Sequence, residues 1–113
     1  LEVGYDPGYG KERIFIKFTD LPKLSSADVI VEATMALYKR HTNNPVTMQA
    51  HEVLGSWSSS TINWSNMPAT NPLVEDYQRV GAAGWCYWTI TDMVQNWYDT
   101  NNGVMLCISD VEN

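Results

Sequence analysis

Several features are missing from this chain of 113 residues, and each absence removes a class of function. No apolar run approaches the ~18 residues of a membrane span, so membrane insertion is not expected, and no signal peptide stands at the start. The chain opens at Leu1 without a methionine, which reads as an excised or processed piece of something longer. Basic residues are few. Seven face thirteen acids, the net charge is -6, and no basic patch forms beyond Lys39-Arg40. Phosphate backbones are repelled by such a balance, so nucleic acid is excluded as a partner. An anionic polysaccharide meets the same repulsion unless a cation bridges it.

The residues needed for catalysis are just as sparse. No Gly-x-Ser-x-Gly elbow occurs, and the only candidate bases for a serine are His41 and His51. His41 sits in the turn-like KRHTNNP, and His51 reads as a satisfied structural histidine. Glu75 and Asp76 are adjacent in a turn-rich stretch, which does not set two acids across a cleft, and Asp92 has a capping role available. The chain is therefore not expected to be an enzyme. Cys86 and Cys107 show none of the paired spacings of a zinc site; they read as small core residues, with one bridge between neighbouring strands as the other reading. Asp6, Asp20, Asp99 and Asp110 lie in or near loops where a calcium ion could gather oxygens, but no Asp-rich loop spacing supports one. No cofactor is expected.

Turns and alternating segments are what the chain does contain. Gly4 to Gly10 carries an Asp-Pro-Gly turn signal, and Asn43-Asn44-Pro45 and Asn101-Asn102-Gly103 are further breakers. Between them, Arg13 to Phe18, Val29 to Tyr38, Val46 to Leu54, Trp85 to Ile90 and Val104 to Ile108 alternate with period two. The second of these puts Val29, Val31, Ala33, Met35 and Leu37 on one face. In the third, Val53 breaks the phase, which suggests a bulge or bend. Only Thr91 to Tyr98 changes period: Thr91 is a plausible N-cap, Asp92 suits the first turn, and Met93 and Trp97 are four apart. The pattern predicts one all-β domain over residues 1–113, an antiparallel, jelly-roll-like β-sandwich with one short helix near its C-terminal end.

Five stretches in order carry a family likeness: ERIFIKFTDLP, ADVIVEATMALYK, SWSSSTINWSNMP, WTITDMVQNWYDT and NNGVML. Arg13, Phe18, Leu21, Pro22, Trp57, Ile62, Trp64, Pro68, Ile90, Thr91, Val94, Trp97, Asn101 and Gly103 match the pattern in sequence order. On these residues the chain resembles the DNRLRE domain, a module of large secreted bacterial proteins, including RHS-repeat and wall-associated ones, that is related to a family of carbohydrate-binding modules. Two departures stand out. The family's Phe-Asp-Ile-Thr is here Trp88-Thr89-Ile90-Thr91, and the strand that precedes Val3-Gly4 in the family is absent. The resemblance implies a secreted or cell-surface module cut from a larger protein, with an open strand edge able to pair with another chain.

The resemblance also bears on the tryptophan-rich loop Gly55 to Pro68. Tryptophans fixed in a family pattern across proteins of different task pack more often than they bind. Phe18, Trp57, Trp64, Trp88 and Trp97 are therefore assigned to the core. Trp85 and Tyr87 lie on the strand face opposite Cys86 and Trp88, and Tyr77 is a further unassigned aromatic. These three form the candidate glycan site, because exposed rings stack on the apolar C–H faces of pyranoses. Two functions stay open: a non-catalytic polysaccharide-binding module, or a spacer that docks onto neighbouring domains of its parent without a sugar ligand.

Overall fold

The structure, a computed structural model, describes residues 2–8, 11–19, 21–42, 45–63 and 65–108, with side chains from residue 13 onward. These residues form seven strands: β1 (Glu2–Gly8), β2 (Lys11–Lys17), β3 (Thr34–Lys39), β4 (Val46–Glu52), β5 (Asp76–Val80), β6 (Gly84–Thr89) and β7 (Val104–Ile108). One helix, α1 (Thr91–Gln95), runs on into a 3-10 turn over Asn96–Tyr98. A five-stranded sheet in the order β1-β2-β7-β4-β5 faces a two-stranded sheet, β3-β6, and every pairing is antiparallel. The architecture is the sandwich that the alternation predicts.

Period-two side chains from both sheets make the main core. Ile16, Ala50, Val104 and Leu106 of the larger sheet meet Met35 and Trp88 of the smaller, and Ile90, Met93 and Trp97 close the helical end. Phe18 is half-buried and packs against this core. The buried Trp88 ring reaches over β4, its indole N–H donating to the Met48 carbonyl at 3.1 Å. The outer face of the larger sheet carries a second, smaller core. There Phe15, Val53, Met105 and Cys107 are covered by Trp57, Ile62 and Met67 from the Gly55 to Pro68 loop. That loop is a plug, with the half-buried Trp57 as its anchor; Trp64 lies outside the described residues.

Val53 explains its own phase break. The β4–β7 ladder runs unbroken from Met48↔Ile108 to Glu52↔Val104, so no bulge is present. Val53 shares the outward parity of Gln49 and His51, and it fills the second core rather than the first.

Three local expectations are corrected. Val29 and Val31 do not face the core: they are 81% and 91% exposed, and β3 begins only at Thr34. Side chains of the helix capture the backbone there, since Gln95 Oε1 accepts from Ile30 N–H and Thr91 Oγ1 accepts from Ala33 N–H. Asp6 and Pro7, read as turn residues, lie inside β1 opposite Arg13 and Glu12, and the chain reverses after Gly8. Pro7 is tolerated because β1 is an edge strand. Finally, the helix N-cap is Ile90, not Thr91, whose hydroxyl is spent on Ala33.

Candidate functional site

The outer face of the two-stranded sheet presents a cluster that polar-out patterning would not produce. The register pairs Thr34 with Thr89, Ala36 with Tyr87 and Tyr38 with Trp85, and all six side chains are exposed. None of the six is charged, in a chain where 18% of residues are. An antiparallel sheet face turned to water is normally polar, and a contiguous apolar surface marks an interaction site. Trp85 is 61% exposed, Tyr38 58% and Tyr87 53%.

Alternation along β6 sets Trp85 and Tyr87 on the same side, about 7 Å apart along the strand. Tyr38 enters by cross-strand pairing, its ring centroid 5.4 Å from that of Trp85 with the planes at 78°. The edge-to-face contact holds the indole in place without covering it on both sides. Tyr38 becomes part of the site only once the β3–β6 register is known. Thr34 and Thr89, at the other end of the face, supply hydroxyls.

Tyr77 does not join this cluster. It lies on β5 opposite Gln49, with the outward parity of Arg79 and Thr47, and is 66% exposed on the outer face of the five-stranded sheet. The same face carries a polar cleft of about 220 Å³ whose lining includes Arg13, Gln49, His51 and Thr70. His51 is buried there and fully engaged. Its Nδ1 donates to the Asn71 carbonyl at 2.8 Å, and its Nε2 meets the Gln49 side-chain oxygen at 3.1 Å. His41 is exposed in the loop after β3.

The acids weighed for catalysis hold structure together. Asp76 accepts from Thr89 N–H at 2.7 Å and from Tyr77 N–H at 2.8 Å, tying β5 to β6. Glu75 Oε2 accepts from Asp92 N–H at 2.9 Å, which caps α1 from outside the helix. Partial burial pushes the Glu75 carboxyl above its ordinary value of 4.5, and the charges of Asp92 and Glu52 add to the rise; hydrogen bonds from the Asp92 and Met93 amides oppose it. Among the described residues no group of three His, Cys, Asp or Glu side chains is placed to hold a metal ion. Cys86 and Cys107 are free thiols.

A β-sandwich whose one uncharged outer face is paved with exposed aromatics has the build of a ligand-binding module. The sequence model of carbohydrate-binding module family 96 matches residues 1–113, and the chain belongs to that family. No curated protein and no solved structure matches it. No helix among the described residues is long and apolar enough to cross a membrane.

Proposed function

We propose that this domain is a non-catalytic module of a larger secreted or cell-surface bacterial protein, as its DNRLRE likeness implies, and that it holds an uncharged glycan on the Trp85–Tyr87–Tyr38 face. One observation carries the reading: six exposed residues on one sheet face, three of them aromatic and none charged. Sugar rings offer apolar C–H faces that stack on exposed aromatics, and their hydroxyls take hydrogen bonds from neighbouring polar groups such as Thr34 and Thr89. Stacking of this kind needs neither metal nor cofactor. The open, exposed face suits the side of a polysaccharide chain rather than a buried chain end.

Charge guides the choice of glycan. A net charge of -6 disfavours a polyanion at long range, and none of the six residues of the aromatic face is a cation that would offset that. Affinity gel electrophoresis of the isolated domain against neutral and acidic polysaccharides tests the reading. Retardation by a neutral glucan, mannan or xylan is expected, and it disappears in Trp85→Ala. A domain that migrates unchanged in every gel favours the spacer reading instead.

A further inference from the structure

Past the end of β4 the chain stays tied to its neighbours. Val53 N–H donates to the Gly103 carbonyl at 3.2 Å, and Leu54 N–H to the Ala69 carbonyl at 2.8 Å. Between this segment and the 3-10 turn with its following loop lies a cleft of about 400 Å³. Its lining includes Glu52, Leu54, Asn96, Tyr98, Asp99 and Asn102. The volume falls in the lower part of the range for small-molecule sites.

Asn102 sets the chemistry of the cleft. Only 9% of the residue is exposed. Its backbone carbonyl is taken by the Trp57 indole N–H. Its side-chain amide makes no hydrogen bond among the described residues and, unlike the Trp97 indole nitrogen, is not sealed from solvent. What access it keeps opens on the cleft that it lines. Buried amides are nearly always satisfied, and this one brings two N–H donors and an acceptor. Asn96 is held loosely, its Nδ2 standing 3.4 Å from each Glu52 carboxylate oxygen, longer than a well-formed hydrogen bond. The carboxylates of Glu52 and Asp99 can only accept. Tyr98 and Leu54, both about half exposed, add apolar surface.

We propose that this cleft is a second carbohydrate site, one that holds the terminal unit of a neutral glycan. Six of the eight described residues that line it carry a carboxylate, an amide or a hydroxyl, which is the surface a polyol needs and not one that an apolar segment would cover. Sugar hydroxyls donate to Glu52 and Asp99, the Asn102 amide both donates and accepts, and ring C–H groups lie on Tyr98. These groups converge from β4, the 3-10 turn and the loop after it. That suits a terminal unit, whose hydroxyls are free on more sides than those of an internal one. An acidic sugar is refused, because its carboxylate would meet two others, and among the described residues no group of three His, Cys, Asp or Glu side chains is placed to hold a bridging metal ion. The site is separate from the Trp85 face and does not rest on it. Chain ends are few in a gel of long polysaccharide, so the cleft adds no retardation there.

NMR titration of the whole chain carrying Trp85→Ala tests the cleft with the aromatic face disabled, so failure of that face as a glycan site leaves this test intact. The probes are cellobiose, mannobiose and xylobiose, with digalacturonate as the charged control. At least one neutral disaccharide is expected to shift the Asn102 side-chain amide and Tyr98 ring signals, while digalacturonate moves neither. Asn102→Ala keeps the carbonyl that Trp57 uses and should weaken that disaccharide about fivefold or more. Should that variant unfold, Asp99→Ala decides with the same expected loss, since Asp99 closes its turn through its backbone N–H to the Asn96 carbonyl. Asn102 amide signals unmoved by all three neutral disaccharides overturn the proposal, as do equal shifts with digalacturonate or full affinity in the variants that fold.

Discussion

The Trp57 indole N–H donates to the Asn102 carbonyl at 2.7 Å, joining segments 45 residues apart. Phe15 meets the same ring at 5.7 Å between centroids, and the Lys17 ammonium sits 4.8 Å from its centre. The plug loop is thus fastened to the Asn101–Gly103 turn, which in turn holds β2, because Asn101 Nδ2 donates to the Phe18 carbonyl at 3.0 Å.

Two tryptophans should therefore respond differently to loss of the indole nitrogen. Trp57→Phe strands the carbonyl of buried Asn102 and should cost about 1–3 kcal/mol. Trp57→Ala should cost about 3 kcal/mol or more, as a large aromatic is removed from the second core. The Trp97 indole N–H, though buried, finds no acceptor among the described residues. Trp97→Phe loses no hydrogen bond and should be the milder of the two Phe substitutions. Urea unfolding of the three variants reads the order directly.

Gly103 allows no substitution. Its φ of 83° lies in the left-handed region, and an added Cβ would run into the Ile16 carbonyl oxygen. Backbone strain and the collision together should cost Gly103→Ala at least ~3 kcal/mol, a large fraction of the stability of a domain of this size. A melting temperature lowered by at least ~10 °C is the expected result.

The Glu75 carboxyl makes a pH prediction with a definite sign. Its folded value is raised above 4.5, so the native state holds this proton more tightly than the unfolded chain does. That contribution favours folding at low pH and is lost as pH rises from 4.5 through the folded value. Glu75→Gln keeps an oxygen for the Asp92 amide and removes the ionisation. The variant should melt higher than the native domain at pH 7, with the difference closing below about pH 4. Melting curves across that range check both the sign and the window.

The two cysteines lie on opposite sides of their sheets. Cys86 points inward from β6, and Cys107 of β7 belongs to the second core on the outer face. A bridge between them would have to cross a sheet layer. Reducing agent should leave the melting temperature unchanged, and a thiol reagent should label both residues once the chain is unfolded.

Strands with one buried face were legible in the sequence, because alternation is a direct trace of burial. Arg13 to Phe18, Trp85 to Ile90 and Val104 to Ile108 fall on β2, β6 and β7. β5 left no such trace, since its inward positions begin with Asp76 and Gln78, polar residues held by hydrogen bonds rather than by apolar packing. Val29 and Val31 alternate like a strand, yet Gln95, 65 residues beyond Ile30, binds the backbone that a ladder would need. The site divides in the same way. Trp85 and Tyr87 share a face by local alternation, while Tyr38 joins them through a pairing 47 residues away, and Tyr77 parts from them because β5 belongs to the other sheet.

The central claim, that the Trp85–Tyr87–Tyr38 face is where this module holds glycan, is tested most directly by calorimetric titration of the polysaccharide that retards it. The native domain is compared with Trp85→Ala and Tyr77→Ala, two exposed aromatics on different sheets. Loss of the Trp85 ring should weaken binding at least tenfold, about 1.4 kcal/mol or more, with Tyr77→Ala within twofold of native. The opposite order, binding lost with Tyr77 and kept without Trp85, would place the glycan on the outer face of the five-stranded sheet and contradict the account.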